Sequence, residues 1–122
     1  MMRKKKILIA DDDSVFVASL EPILKKNDYE VIVANDGEEA LSKTKDCEPD
    51  LILMDIKMPK LSGDIATFKI RTQNPSIPII MLTGVGDAQD QAFAVQIGAV
   101  DYIIKPFKPE DLLNKIEKAL TN

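Results

Sequence analysis

The chain has 122 residues, 45% apolar and 30% charged, a balance typical of a single soluble globular domain rather than a disordered protein. A net charge of −4 argues against direct nucleic-acid binding, and strand-sized apolar runs exclude a membrane span or a signal peptide, so we expect a cytoplasmic protein. The absence of histidine excludes His-based metal sites and catalytic triads, and the single Cys47 excludes an internal disulfide.

Five short apolar runs, taken along the chain, predict five strands. They are residues 6–10, 31–34, 51–54, 77–82 and 100–104. Segments with apolar residues at helical spacing lie between them, and a fifth such segment follows the last run. Strands that alternate with helices indicate βαβ units, and therefore an α/β fold with a parallel sheet and helices on both faces.

Turn and cap residues agree with these boundaries. Residues 35–39 combine a capping side chain with a first-turn acidic pair, as at a helix start, and Gly98 suits a left-handed helix end. Pro22 falls inside the first helical segment, where we expect it to bend the helix. Pro109 suits the first position of the fifth helix, although Lys108 before it offers no capping side chain.

Polar residues stand at the carboxyl ends of four predicted strands. They are Asp11, Asp12 and Asp13 after the first strand, Asp55 at the end of the third, Thr83 after the fourth and Lys105 after the fifth. In an open parallel sheet, ligands bind outside the carboxyl ends of the strands, where the strand order reverses. The four segments therefore predict one site at that edge.

The residue types at this edge predict phosphoryl chemistry. Oxygen ligands from two or three aspartates suit a hard divalent cation such as Mg²⁺. Lys105 and Thr83 add an ammonium and a hydroxyl, which are groups that hold phosphoryl oxygens. Asp55, between metal and cation, can attack phosphorus and become an aspartyl phosphate. The alternatives are that residues 11–13 only cap the first helix and that Asp55 is an ordinary strand-end residue. Pro106 is a candidate for a cis peptide bond.

Four stretches then carry a family resemblance through their order and separation. They are ILIADDD at 7–13, LILMDIKMPKLSG at 51–63, IIMLTG at 79–84 and DYIIKPF at 101–107. As a set they resemble the receiver domain of two-component response regulators, over essentially the whole chain. The resemblance implies a flavodoxin-like, doubly wound five-stranded sheet in the order 2-1-3-4-5 with five helices. It also implies one receiver domain over residues 1–122, either stand-alone, a relay intermediate or part of a larger protein.

The resemblance implies a role for each matching acidic residue. Asp55 resembles the phosphoacceptor, which is also a metal ligand. Asp12 resembles the direct ligand of Mg²⁺, with Asp11 beside it, and Lys57 resembles the residue that contributes a backbone carbonyl to the ion. Asp13 is then an additional residue, expected to cap the first helix.

The resemblance also implies how the phosphoryl group is held and read. Thr83 resembles the switch hydroxyl, Gly84 the amide donor to phosphate, Lys105 the cation and Tyr102 the coupled aromatic switch. The implied donor is a phosphohistidine on a histidine kinase or a histidine phosphotransfer protein, which supplies the histidine that this chain lacks. Phosphorylation is expected to remodel the surface of the fourth helix, fifth strand and fifth helix for an unidentified output partner, with a phosphorylation-dependent dimer as one form.

Two departures from the family pattern concern the lifetime and the output of the phosphorylated state. Lys57 and Val85 occupy positions that tune hydrolysis of the acyl phosphate in the family. Neither side chain can accept a hydrogen bond from a water, so we hypothesise slow autodephosphorylation. Lys108 replaces a more usual capping residue and is interpreted as a solvated lysine or a partner contact.

Two other functions compete with a non-enzymatic signalling switch that promotes its own phosphorylation and dephosphorylation. Asp11 and Asp13 form a DxD sequence after a hydrophobic strand, as in haloacid-dehalogenase-like phosphatases, where Asp11 would be the nucleophile. The chain lacks the later acidic motif of that family and the length for a cap. The second alternative is an interaction module that needs no phosphate.

Overall fold

The computed structural model describes the backbone of residues 3–84 and 91–121 and the side chains of residues 3–84 and 94–121. Strands and helices alternate along the chain, as predicted. The strands are β1 (Lys5–Ala10), β2 (Tyr29–Ala34), β3 (Leu51–Asp55), β4 (Ile79–Gly84) and β5 (Asp101–Lys105). The helices are α1 (Ser14–Lys26), α2 (Gly37–Cys47), α3 (Gly63–Gln73), α4 (Gln91–Ile97) and α5 (Pro109–Thr121).

All strand pairs in the sheet are parallel, in the order β2-β1-β3-β4-β5, which confirms the doubly wound fold. Thr83 and Lys105 were expected to follow their strands, but both lie within them and take part in the pairing of β4 with β5. Thr83 pairs with Ile104, and Gly84 pairs with Lys105. Pairing continues to these polar residues because the backbone bonds between parallel strands do not depend on the side chain.

Two apolar layers cover the two faces of the sheet. On one face, residues of α2, α3 and α4, such as Ala40, Ile70 and Ala94, pack with alternate strand residues. On the other face, α1 and α5 supply residues such as Leu24 and Ile116. The strands read as continuous apolar runs because each buries side chains on both faces. This arrangement leaves the carboxyl edge of the sheet for polar residues.

The helix boundaries follow most of the predicted signals. Asp13 caps α1, as predicted, by accepting hydrogen bonds from the backbone N–H groups of residues 15 and 16. Gly98, directly after α4, has φ of 100°, and α5 begins at Pro109. α1 continues through Pro22 to Lys26. The Lys105–Pro106 peptide bond is cis, as the sequence suggested. No helix in the described ranges has the length and apolar character needed to cross a bilayer.

Candidate phosphoryl-transfer site

The strand ends bring the predicted site residues to one edge of the sheet. Asp55 closes β3 beside Leu82 of β4, so Thr83 is the next residue along the neighbouring strand. Gly84 then lies beside Lys105 at the end of β5. The segment that follows β1 reaches the same edge because β1 is the other neighbour of β3.

Three carboxylates meet at this edge. Asp11, Asp12 and Asp55 each offer one oxygen, and these oxygens all lie within 4.8 Å of one another. The Asp11 side chain is fully buried, and its Oδ1 accepts a hydrogen bond of 2.9 Å from the backbone N–H of Asp13. Like charges this close repel, and a bound cation offsets the repulsion. Oxygen donors of this kind fit a hard divalent ion such as Mg²⁺.

Lys105 supplies the positive charge next to the carboxylates. Its Nζ is 2.6 Å from Asp11 Oδ2 and 3.7 Å from Asp55 Oδ1. The ammonium also lies 4.1 Å from the centroid of the Phe16 ring. The Lys105 side chain is only 21% exposed, so its interaction with Asp11 is poorly screened by solvent.

The surroundings of Asp55 disfavour its charged form. Burial, and after it the charges of Asp11 and Asp12, raise the pKa of this carboxyl, whereas Lys105 lowers it, and the net result is a rise from 3.8 to about 6. A cation that binds the three carboxylates is therefore bound more tightly above this pKa than below it. The same pKa means that Asp55 is mostly a carboxylate, and thus a nucleophile, at neutral pH.

The remaining predicted residues surround this centre without all contacting it. Thr83 is 2% exposed, and its hydroxyl donates to the Ile103 carbonyl oxygen at 3.4 Å. Lys57 is exposed, two residues after Asp55. Tyr102 is half-buried against the core layer of α2, α3 and α4, on the strand face opposite Lys105. Val85 lies outside the described residues.

Gly63, the first residue of α3, shapes the loop after β3. The Gly63 N–H donates to the Ile56 carbonyl oxygen at 2.7 Å. A Cβ atom at Gly63 would lie 1.8 Å from the Asp55 carbonyl oxygen, which no side chain allows. The start of α3 therefore packs directly against the backbone of Asp55. The sequence signal was the glycine at the first position of the helix, where a residue with better helix propensity is usual.

A doubly wound parallel sheet with clustered charged side chains at its carboxyl edge is the arrangement of an α/β domain that binds its ligand at the strand ends. The chain belongs to the response regulator receiver domain family, whose model matches residues 7–117. Members of this family are signalling domains that act as phosphoacceptors in two-component systems.

Curated relatives agree with the family. The chain is 40% identical to the alkaline phosphatase synthesis transcriptional regulatory protein PhoP of Bacillus subtilis, over 95% of this chain and 48% of that protein. It is 42% identical to the probable transcriptional regulator ycf27 of Cyanophora paradoxa, over 98% of this chain and 49% of the relative. The chain thus spans about half the length of the curated relatives it matches.

Solved structures match the whole fold. A CheY-like receiver domain protein from Methanospirillum hungatei aligns with a TM-score of 0.89 at 36% identity, covering 97% of this chain and 94% of that one. A putative response regulator from Chloroflexus aurantiacus aligns with a TM-score of 0.91 at 33% identity, covering 98% and 99%.

Proposed function

We propose that Asp55 accepts a phosphoryl group from a phosphohistidine on a histidine kinase or histidine phosphotransfer protein, in a Mg²⁺-dependent reaction. The observation that carries this proposal is the position of the Lys105 ammonium, 2.6 Å from Asp11 and 3.7 Å from Asp55, beside three clustered carboxylates. A nucleophilic carboxylate, a metal-binding oxygen set and a fixed cation are the groups that phosphoryl transfer requires.

Each residue has a distinct part in the transfer. Asp55 attacks phosphorus, the bond from phosphorus to the donor imidazole nitrogen breaks, and the imidazole leaves. Lys105 neutralises charge on the transferred group, while the Gly84 N–H and the Thr83 hydroxyl donate hydrogen bonds to its oxygens. Asp11, Asp12, Asp55 and the backbone carbonyl of Lys57 would hold Mg²⁺. The ion supplies electrostatic stabilisation of the phosphoryl oxygens when bound.

The same hydroxyl links the site to a distant surface. Thr83 leaves its long, 3.4 Å bond to the Ile103 carbonyl when it turns to the phosphoryl group. Tyr102 then turns inward to fill the vacated space, and the surface of α4, β5 and α5 changes. Phosphorylation thereby biases two states that differ in partner affinity. The partner that binds this surface is an output protein or domain, or a second phosphorylated copy of this chain.

The chain's setting is part of the proposal. Residues 1–122 act as one receiver domain in the cytoplasm, alone or within a longer protein. They have no direct contact with nucleic acid, in keeping with the net charge of −4. The transcriptional regulators it resembles are about twice its length, so any DNA-binding activity of theirs is not carried over to this chain.

Phosphotransfer from purified histidine kinases, read by mass spectrometry, tests the proposal directly. We expect one phosphoryl group on Asp55, lost in Asp55→Ala and abolished by removal of Mg²⁺ with EDTA. Label on another residue, or undiminished label in Asp55→Ala, would contradict it.

The two alternative functions predict different results in related experiments. A haloacid-dehalogenase-like phosphatase would carry the label on Asp11 and would be indifferent to Asp55→Asn. Asp11 is poorly placed for this because it is fully buried and its two oxygens accept from Lys105 and from the Asp13 N–H. A phosphate-independent module would show no change in amide signals at Thr83 and Tyr102 on addition of Mg²⁺ and beryllofluoride.

A further inference from the structure

A series of contacts through Asp11, Asp13 and Phe16 starts and ends at the Lys105 ammonium. Lys105 donates to Asp11 Oδ2 at 2.6 Å, and Asp11 Oδ1 accepts from the Asp13 N–H at 2.9 Å. Asp13 Oδ1 accepts from the Phe16 N–H at 3.1 Å, and the Phe16 ring lies 4.1 Å from the Lys105 ammonium. The first turn of α1 is therefore fixed relative to the end of β5 by polar contacts on one side and by an aromatic ring on the other.

A second aromatic ring supports Phe16. Phe107 meets it edge to face, with centroids 5.9 Å apart and an interplanar angle of 87°. Phe107 is two residues after Lys105, so the ring pair joins α1 to the same connection that carries the ammonium. Both rings line a groove of about 440 Å³ together with Ile23 and Leu20. A smaller apolar side chain at position 16 would enlarge this groove without steric conflict.

The Phe16 ring restricts the conformations of the Lys105 side chain. A lysine side chain is long and flexible, and holding it in one position costs rotamer entropy that favourable contacts must offset. The face of an aromatic ring attracts an ammonium, and more strongly in a partly desolvated site. Phe16 offers such a face on one side of the ammonium, while Asp11 and Asp55 offer carboxylates at 2.6 and 3.7 Å.

We propose that Phe16 is a positioning residue that holds the Lys105 ammonium beside Asp11 and Asp55, ready for the transferred phosphoryl group. This rests on the proposed function of Asp55 as phosphoacceptor. The competing explanation is that Phe16 only fills space between α1 and α5. The two explanations differ because an aromatic face, and not merely apolar volume, is needed for positioning.

Three variants separate the explanations. Phe16→Leu keeps an apolar side chain and removes the ring, Phe16→Tyr keeps the ring, and Ile23→Val alters the same groove two turns further along α1. The first measurement is the proton shift of the Lys105 ε-methylene group in lysine-labelled protein, assigned with Lys105→Arg and recorded without any phosphodonor. The second is the rate of Asp55 phosphorylation by acetyl phosphate, as a function of Mg²⁺ concentration.

The ring should move the Lys105 signal upfield in the parent and in Phe16→Tyr, and this upfield shift should disappear in Phe16→Leu. At saturating Mg²⁺ we expect Phe16→Leu to slow phosphorylation roughly two- to fivefold, with Phe16→Tyr and Ile23→Val close to the parent. The Mg²⁺ concentration for half-maximal rate should stay the same, since the carboxylates are unchanged.

The proposal is overturned if the Lys105 signal is the same in Phe16→Leu as in the parent. It is equally overturned if Phe16→Leu keeps the full rate, or if Phe16→Tyr is slowed as much as Phe16→Leu. Should the parent itself acquire no phosphoryl group on Asp55, the proposed function fails. The Lys105 signal still decides in that case whether Phe16 holds the ammonium.

Discussion

At Asp55, burial and two neighbouring carboxylates act in the same direction on one side chain. They raise its pKa from 3.8 to about 6, with Lys105 opposing them. The folded protein therefore binds a proton at Asp55 more tightly than the unfolded chain does. It follows that ionised Asp55 opposes folding above about pH 6, and that this penalty disappears as the pH falls through 6 toward 4.

We therefore expect Asp55→Asn to stabilise the metal-free protein at pH 8, by up to about 3 kcal/mol, and to have little effect near pH 4. Urea unfolding in EDTA at both pH values measures the difference. Asp46→Asn, at an exposed position of α2, is the control and should change the free energy of unfolding by less than about 0.5 kcal/mol. Equal stability of parent and Asp55→Asn at pH 8 would contradict the electrostatic account of the cluster.

Removal of the Lys105 ammonium should destabilise the protein, in contrast to removal of the Asp55 charge. Lys105→Met leaves the fully buried Asp11 carboxylate without its ammonium, and we expect destabilisation near the lower end of the roughly 3–5 kcal/mol seen for broken buried pairs. Asp11→Asn in the same chain should recover most of that loss. A double-mutant cycle from urea unfolding in EDTA measures the coupling, and simple additivity would show that the pair is not coupled.

Chain order and residue type predicted the acidic cluster at residue level but not the aromatic contact. Asp11, Asp12, Asp55 and Lys105 follow from one rule, since the carboxyl ends of parallel strands share an edge. In the sequence, Phe16 is one of several apolar residues at helical spacing between the first two predicted strands. Its contact with Lys105 depends on how α1 packs against the β5–α5 connection, and no local pattern encodes that packing.

Helix starts at this edge differ in how well they are capped. The Asp13 side chain accepts hydrogen bonds from two backbone N–H groups at the start of α1, whereas the Ser62 side chain before α3 makes no capping hydrogen bond. We expect Asp13→Ala to lower the free energy of unfolding by about 1 kcal/mol and Ser62→Ala to change it by less than about 0.5 kcal/mol. Thermal or urea unfolding of both variants checks the contrast, and equal losses would contradict it.

The start of α3 depends on a close backbone approach instead of a cap. Gly63→Ala would place a Cβ atom 1.8 Å from the Asp55 carbonyl oxygen, so α3 or the end of β3 must move. We expect a loss of at least roughly 1–3 kcal/mol of stability and weaker Mg²⁺ binding, because Asp55 moves with its backbone. Urea unfolding and a Mg²⁺ titration measure the two effects.

Ile65→Ala is the control for this substitution, since Ile65 lies two positions along the same helix and is 47% exposed. It should leave Mg²⁺ affinity unchanged. A Gly63→Ala variant with parental Mg²⁺ affinity would show that the backbone of Asp55 tolerates the displacement.

The elements themselves were largely predictable, and their ends less so. Alternating apolar runs and helical spacing identified all five strands and five helices, because each strand buries both faces and each helix one. Several strand ends were displaced by one or two residues: β2 begins at Tyr29 and β4 extends to Gly84. Pairing with a neighbouring strand determines these ends, and the sequence of one segment alone does not show how far that pairing extends.

The two core layers leave several apolar side chains exposed, and some of these lie on or next to α4 and β5. Val95 of α4 is 64% exposed and Ile104 of β5 is 39% exposed, and both belong to the surface that the proposed switch remodels. Val100, directly before β5, is 55% exposed. Exposed apolar side chains on a surface that changes between two states offer contact area to a partner. The family resemblance implied this surface, but local charge patterning did not indicate it, since the fold assembles it from separate segments.

A lysine substituted into this surface should prevent dimer formation. We expect the parent to form a dimer when loaded with Mg²⁺ and beryllofluoride and Ile104→Lys, on β5, to stay monomeric, because a charge at the contact would have to be desolvated. Phe68→Lys, on α3 where Phe68 is 61% exposed, is the matched control and should dimerise like the parent. Sedimentation velocity with and without beryllofluoride measures the outcome. A loaded parent that remains monomeric at its highest soluble concentration would exclude the dimer and leave the surface to a different protein partner.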